Sequence, residues 1–553
     1  MILSANITEK SFGNSLLYTD VTVEIDENEK VGLIGRNGTG KSTLFHILNG
    51  DDIDFQGKLH IKSGAIVISS RQEHHGHEDK TALEYIQGDL PEYQKLTHII
   101  STYPDRMGDN TRLIQEYTDA LERFGELGYY EIEEDIEQAF DKYQIDPAFI
   151  HKPLGGLSGG QKRMVELIKV QRSRGHLALV DEPTNHMDYV AKDSFISWLK
   201  ATKEAVLVIT HDRDVLDNVD RMIEIRDGVS YSFNGNYHEY LKSNKGKVTS
   251  ELGTYDQVQK RIKSLEQQAA QSHRMRYKAR TPNAVRRFRA QEEKALAEIE
   301  ELKKVEKPSF WIDQDTAASM RNSSAEAYDK YKATNIKVRT RKKTSDGSDR
   351  SLIQVEKLSL GYDNMPLFTN MSFSLREGER LRIHGRNGAG KTTLIKALVS
   401  EVKELLYGSQ VLGGKIEVEK ALQIGVYEQE INPIYLKMHL SEAIEHIYTD
   451  RELSITNQGV KQLLNDYLFD PVEDAEKPVE QLSGGQKARL QLIAMLANDP
   501  QILVLDEPTN HLDLPSIEEL ENALVPYHGA ILYVSHDSFF ADKIGGETIA
   551  IGK

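Results

Sequence analysis

Residues 35–42, GRNGTGKS, and residues 385–392, GRNGAGKT, fit one pattern, G-x-x-x-x-G-K-[ST]. Glycines at those positions let successive backbone N–H groups turn inward around phosphate oxygens, while the lysine reaches the terminal phosphates and the closing hydroxyl ligates Mg2+. The first cradle is Gly35, Arg36, Asn37, Gly38, Thr39 and Gly40, followed by Lys41, Ser42 and Thr43. The second is Gly385, Arg386, Asn387, Gly388, Ala389 and Gly390, followed by Lys391, Thr392 and Thr393. Farther along, one apolar run ends in Asp181-Glu182 and another in Asp506-Glu507, each followed by Pro-Thr-Asn-His. The aspartate of such a pair can hold Mg2+ through its waters, and the glutamate can orient and deprotonate an attacking water. His211 and His536 follow the runs VLVIT and ILYVS and are candidates to sense a γ-phosphate. Together these residue types specify hydrolysis of a nucleoside triphosphate, twice over.

The sequence LSGGQ also occurs twice, at Leu157 and Leu482. Ser158 and Ser483, Glu182 and Glu507, and His211 and His536 share a single offset of 325 residues. The lysines are 350 apart, and Gln72 and Gln429, candidates to touch Mg2+ or the attacking water, are 357 apart. The first half therefore has 32 more residues than the second between its glutamine and its signature. The surplus falls at about residues 81–126, where Leu, Ile and Tyr recur at helical spacing on either side of YPDRMGDN, and an inserted helical hairpin is expected. Phe12 and Tyr362 each precede their lysine by 29 residues; they are candidates to stack on a base, with core packing as the alternative.

The elements that must position these groups follow from the apolar runs. AVLVI from Ala205 and ILVL from Ile502 have the length of buried parallel strands, and such runs alternate with helical stretches. The expected architecture is α/β: two P-loop domains, residues 1–243 and 351–553, joined by a helical linker, residues 244–350. In the linker Val258, Ile262, Leu265 and Ala269 recur at helical spacing, as do Leu296, Ile299 and Leu302, while Thr281-Pro282-Asn283 breaks the pattern. Folding back at that point pairs Leu265 with Leu296, Ile262 with Ile299 and Val258 with Leu302, an antiparallel hairpin whose first arm reaches roughly 50 Å. PSFWIDQD from Pro308 gives no reading, KTSDGSD from Lys343 reads as a loop, and IKVRTRKK from Ile336 is either an RNA contact or a solvated strand.

Composition narrows the function classes. The chain has 553 residues, no cysteine and a net charge of −17, so thiolate metal sites and cysteine catalysis are excluded and general adhesion to nucleic acid or anionic membrane is disfavoured. Any such contact must be local. Between Glu266 and Glu292 there is no acidic residue, while Arg274, Arg276, Lys278, Arg280, Arg286, Arg287 and Arg289 are all basic. Nothing approaches about 18 consecutive apolar residues, MILSANITEK reads as a first strand rather than a signal peptide, and no C-terminal extension is expected.

Taken together the motifs resemble the ATP-binding cassette superfamily over nearly everything outside the linker. In that family LSGGQ lies at a helix N-terminus and binds the γ-phosphate of the nucleotide held by the opposite domain. The resemblance implies that Lys41, Asp181, Glu182 and His211 act with Ser483, Gly484, Gly485 and Gln486, and that Lys391, Asp506, Glu507 and His536 act with Ser158, Gly159, Gly160 and Gln161. Neither half departs from the pattern, so both sites are expected to hydrolyse ATP with Mg2+, bound by Ser42, Gln72 and Asp181 in one and by Thr392, Gln429 and Asp506 in the other. The tandem arrangement, the charged linker and the paired PTNH motifs resemble the ABC-F translation factors. This implies a cytoplasmic monomer whose linker hairpin meets the ribosome and peptidyl-tRNA, and whose first-domain insertion meets the ribosome. A transporter ATPase would leave the basic hairpin without a purpose, and a DNA-repair ATPase would carry zinc cysteines or a coiled coil splitting one domain. An antibiotic-resistance member of the same family is the alternative; the long insertion and compact tip favour a housekeeping factor.

Overall fold

Five short apolar segments carry the second half: Ile424–Tyr427, Ile502–Asp506, Ala530–Val534, Arg380–Gly385 and Glu547–Ile551 lie side by side in that order, every pair parallel. The first half repeats this with Val67–Ser69, Leu177–Asp181, Ala205–Ile209, Lys30–Gly35 and Arg221–Arg226, to which Val229–Asn234 adds an antiparallel edge. Leu177–Asp181 and Ala205–Ile209 are buried throughout, as strands covered on both faces must be. The computed structural model describes residues 1–13, 15–71, 74, 76–143, 145–185, 187–303, 351–362, 365–403, 410–419, 422–428, 431–510 and 512–552.

Each parallel sheet is joined by an antiparallel one. Leu3–Phe12 pairs with Ser15–Tyr18, Val21–Ile25 and Gln56–Ile61, and Ser351–Tyr362 lies between Met365–Arg376 and Gln410–Val418. The phosphate-loop helices, Lys41–Asn49 and Lys391–Lys403, contribute Leu44, Leu48, Leu394 and Leu398 to the cores shared by the two sheets of each half. The strand order sets the chemistry, because Lys30–Gly35, Ala205–Ile209 and Leu177–Asp181 are neighbours and their carboxyl ends open on one side. In a parallel sheet that edge is where ligands bind.

The extra length of the first half lies within residues 81–126 but begins only after the first helix of that range. Helix Ala82–Asp89 has a counterpart in Leu440–Thr449, each preceded by a bridge to a proline, Thr81 to Pro153 and His439 to Pro478. The added elements are therefore Tyr93–Thr102 and Thr111–Glu126. Glu92 pairs with Arg123 at 3.0 Å, and Tyr93, Phe124 and Tyr129 stack edge to face or tilted at their base. The loop between the helices is the segment YPDRMGDN, with Asn110 capping the second helix through the N–H groups of Arg112 and Leu113.

The described residues divide into two compact units, Met1–Tyr237 with Ile336–Lys553, and His238–Asn335. Both cassette halves belong to the first. The second holds the hairpin, formed by helix Tyr237–Lys278 from its second residue on and helix Pro282–Lys303, with Ile262, Leu265, Ala269, Ala295 and Ile299 as its core and Val258 and Leu302 packed against it. The pairing of Leu265 with Leu296 does not hold. Leu296 is 49% exposed and Ala295 faces inward, because Ala295, Ile299 and Leu302 follow the 4, 3 spacing that keeps one helix face, whereas Leu296 lies one residue, or about 100°, round from it. The segments around Pro308, Ile336 and Lys343 lie outside the described residues.

Candidate active site

The phosphate loops leave strands Lys30–Gly35 and Arg380–Gly385 and enter helices Lys41–Asn49 and Lys391–Lys403. Gly40 has φ +92°, and a Cβ there would lie 2.5 Å from the Tyr18 hydroxyl and 2.8 Å from Leu17, so only glycine fits. The Lys41 ammonium donates to the carbonyls of Gly35 (2.8 Å) and Arg36 (3.0 Å), and Lys391 does the same to Gly385 (2.7 Å) and Arg386 (3.0 Å). Each lysine thus spans the mouth of its own loop. Burial holds both below the usual lysine range, against the pull of Glu182 and Glu507 respectively. Thr39 closes the first loop through its hydroxyl to the Arg36 carbonyl at 2.9 Å, and the Ala389 N–H reaches the Arg386 carbonyl at 3.2 Å in the second.

The acidic pairs end neighbouring strands. Ser42 Oγ donates to Asp181 Oδ2 at 3.3 Å, and a Thr392 hydrogen bond bears on Asp506, so each loop hydroxyl is beside its carboxylate, the arrangement that Mg2+ requires. Both glutamates adopt left-handed backbone, φ 46° at Glu182 and 48° at Glu507, while their N–H groups still bond the neighbouring strand at Ile209 (2.8 Å) and Val534 (2.9 Å). Both side chains line one cavity. Burial raises both carboxyls, Glu507 to about 7, with the adjacent aspartate adding to the rise. Burial lowers both histidines, His536 to about 3, with the nearby lysine ammonium pushing the same way. His211 Nε2 lies 3.5 Å from Glu182 Oε1, and His536 Nε2 lies 3.2 Å from Glu507 Oε1, neither with hydrogen-bond geometry. The ring nitrogens of both histidines, Glu507 Oε1 and Asp506 Oδ1 are buried without a hydrogen-bond partner. Buried polar atoms of this kind call for a ligand, and a triphosphate with its Mg2+ and attacking water fits the donors and acceptors present.

A cavity of about 830 Å³ joins the halves. Asn37, Gly38, Gly40, Lys41, Ser42, Thr43, Asp181, Glu182 and His211 line it from one side, and Glu507, Asn510 and His536 from the other. Phe12 is also on its wall and is 56% exposed, and Tyr362 is 45% exposed with its hydroxyl 3.5 Å from Thr393 Oγ1; neither is a core residue. Gln72 and Gln429 lie outside the described residues. Ser158 and Ser483 are helix N-caps, each in a reciprocal box with Gln161 or Gln486. Gly159 lines the cavity, beside Arg163 of its own half, whereas Ser158 and residues 483–486 are not among the lining residues.

Two functional residues escape a reading that stops at the glutamate. Asp513 Oδ2 accepts from the Asn37 N–H at 2.9 Å, and Asp188 Oδ2 accepts from the Asn387 N–H at 3.2 Å, so each half caps the phosphate loop of the other. Each aspartate also caps the helix that follows it, at Ala191 N–H (3.0 Å) and Ser516 N–H (3.1 Å). The available signal was their shared 325-residue offset, six residues after each glutamate.

At the hairpin tip the seven cations are not equivalent. Arg276 pairs with Glu292 at 2.8 Å and Arg289 with Glu293 at 2.9 Å. Arg274, Lys278, Arg280, Arg286 and Arg287 are exposed and make no ion pair among the described residues.

The ABC transporter family profile matches residues 18–185 and 368–510, together more than half the chain. The putative ATP-binding protein YdiF of Bacillus subtilis is 29% identical over 563 residues, covering 100% of this chain and 80% of that protein. The energy-dependent translational throttle protein EttA of Mycobacterium tuberculosis is 29% identical over 544 residues, covering 97% and 88%. Among solved structures, the complex of the archaeal ribosome recycling factor aABCE1 with a ribosomal stalk protein superposes with TM-score 0.56 at 18% identity, covering 99% of this chain and 87% of that one, a likeness of fold.

Proposed function

The chain belongs to the ABC transporter family as an ABC-F-type ATPase, and on that premise we propose that it is a cytoplasmic, monomeric factor whose ATP cycle acts on the ribosome. No described helix is long and apolar enough to cross a membrane. The observation that carries the reading is the tip of the hairpin: five exposed cations with no ion pair among the described residues, on a chain of net charge −17. Such a tip attracts phosphate backbone while the acidic body discourages nonspecific binding. The occupant proposed for it is peptidyl-tRNA and the surrounding ribosomal RNA, with the insertion Tyr93–Thr102 and Thr111–Glu126 as a second ribosomal contact.

In the proposed reaction, water held by Glu182 or Glu507 attacks the γ-phosphorus as the bond to the β-phosphate oxygen breaks. The glutamate takes the proton, and ADP and phosphate leave. A carboxyl already raised by burial is a competent acceptor near neutral pH. Mg2+, when bound at Ser42 and Asp181 or at Thr392 and Asp506, would neutralise charge on the β- and γ-phosphates, with Gln72 and Gln429 as further proposed ligands. Lys41 and Lys391 turn from the loop carbonyls to the phosphates, and neutral His211 and His536 donate to the γ-phosphate. Phe12 and Tyr362 are exposed where a base could stack. Ser483 to Gln486 would complete the Lys41 site on closure, and Ser158 to Gln161 the Lys391 site. Sedimentation with ribosomes tests this. Glu182→Gln with Glu507→Gln should bind ATP, fail to hydrolyse it and remain on ribosomes. In that protein Lys278→Ala, Arg286→Ala and Arg287→Ala together should weaken ribosome binding and flatten its salt dependence by up to about 0.9 log unit per lost phosphate contact. Equal affinity and slope in both would remove the tip from the mechanism. The two-helix insertion and the three-residue turn between Lys278 and Pro282 favour a translation factor over the drug-protection alternative.

A further inference from the structure

Lys192, on helix Tyr189–Ala201, is 6% exposed and lines the same cavity as Asp181, Glu182 and Glu507. Its ammonium donates to Asp212 Oδ1 at 3.0 Å, to Asp214 Oδ2, and to the backbone carbonyl of His536 at 3.4 Å. Asp212 directly follows His211. One side chain therefore holds the segment after His211 in the first half and the backbone at His536 in the second.

The arrangement exists once. At the 325-residue offset the counterpart of Lys192 is Ile517, that of Asp214 is Phe539, and that of Arg213 is Ser538. The same segment is anchored across the halves by two further bonds. Arg213 Nη1 meets Glu521 Oε1 at 2.9 Å with both side chains almost wholly buried, and Ser538 Oγ donates to Asp214 Oδ1 at 2.6 Å. Arg213 Nε and Nη2 are buried without a hydrogen-bond partner, but each ion pair named here still resists displacement, since in low dielectric moving one member leaves a buried charge unpaired. From this geometry we infer that Lys192 is a positioning residue that couples the two ATP sites, so that seating a γ-phosphate against His211 draws Asp212 and Lys192 and thereby orders His536. Coupling of this kind is reciprocal, and typical values span about 5- to 150-fold in affinity.

This inference rests on the assignment of the two loops as ATP sites, and the test separates the two. In the Glu182→Gln/Glu507→Gln protein, ATP binding with Mg2+ is followed by calorimetry, and each site is measured alone after Lys41→Ala or Lys391→Ala. The expected result is positive cooperativity of about fivefold or more in the parent. It should be lost in Lys192→Met and kept in Lys192→Arg, with isolated-site affinities unchanged by Lys192→Met. Lys192→Ile with Asp214→Phe, which installs the apolar residue types of the second half, should also lose cooperativity and guards against misfolding of the single variant. Independent sites in the parent, cooperativity retained without the ammonium, or a matching fall in the isolated-site affinities would overturn the role of Lys192. A parent that binds no ATP would instead overturn the site assignment.

Discussion

Replacing Asp513 separates the bonds this carboxylate makes to its own helix, from the Ser516 N–H and hydroxyl, from the one it makes to the opposite half. It caps its own helix through the Ser516 N–H at 3.1 Å and caps the opposite phosphate loop through the Asn37 N–H at 2.9 Å, while almost fully buried. Hydrogen bonds to a charged acceptor contribute about 1.5–3 kcal/mol and neutral ones about 0.5–1.5 kcal/mol. Asp513→Asn preserves shape and remains a good N-cap, so its cost is the difference, roughly 1–1.5 kcal/mol, or about 5- to 13-fold in an equilibrium. Asp513→Ala loses all three bonds and adds about 1 kcal/mol for the missing cap. The assay is single-site turnover at the Lys41 loop, isolated by Glu507→Gln, together with thermal melting. The Asn variant should lower kcat/KM about tenfold with little change in Tm, and the Ala variant should lower both. An Asn variant that keeps full activity at the Lys41 site, or loses as much stability as Ala, would refute the claim that the cross-half bond works on the loop.

Ser483→Arg in the Glu507→Gln background should abolish turnover at the Lys41 site despite its distance in sequence; unchanged turnover would sink the proposed closure. In the hairpin, Leu265→Ala should cost about 2–5 kcal/mol, read as increased protease cleavage within the hairpin, whereas Leu296→Ala should change stability by no more than about 0.5 kcal/mol. The reverse order would restore the discarded pairing. Glu166 is wholly buried, pairs with Lys169 (2.8 Å), accepts from the Arg71 N–H (2.9 Å) and Tyr85, and has His74 Nε2 2.9 Å away without hydrogen-bond geometry. Despite burial, the close approach of His74 and of the Lys169 ammonium holds its carboxyl down at about 2. A group lowered on folding contributes stability that is present above its unfolded pKa, near 4.3, and is lost as pH falls through the folded value. Acid unfolding should therefore steepen between about pH 4.3 and 2, and Glu166→Gln should be less stable at neutral pH but flatter across that window. Parallel acid curves would refute the assignment.

The chemistry was legible where side chains act through local order. A glycine loop, a strand ending in Asp-Glu and a serine before Gly-Gly-Gln each imply their own backbone geometry, and the structure has a loop at a helix start, carboxylates at a strand end and an N-cap at those positions. Helix faces were legible to within one residue, as the exchange of Leu296 for Ala295 shows. Helical spacing also could not tell the shared helix Ala82–Asp89 from the added pair, because both are amphipathic.

By itself, then, the sequence determined the duplicated ATPase chemistry, the α/β class and the cationic hairpin, because each depends on residue types within a few positions or on a repeat offset. Tertiary structure alone decided which groups meet across the halves. Asp513 reaches Asn37, Asp188 reaches Asn387, and Lys192 reaches the carbonyl of His536. It also decided that Glu166, whose counterpart is Gln491, anchors a buried network in one half only. Contacts between residues hundreds of positions apart depend on how two surfaces pack, and the raised glutamates and lowered histidines follow from the burial that this packing creates, which neither composition nor spacing encodes.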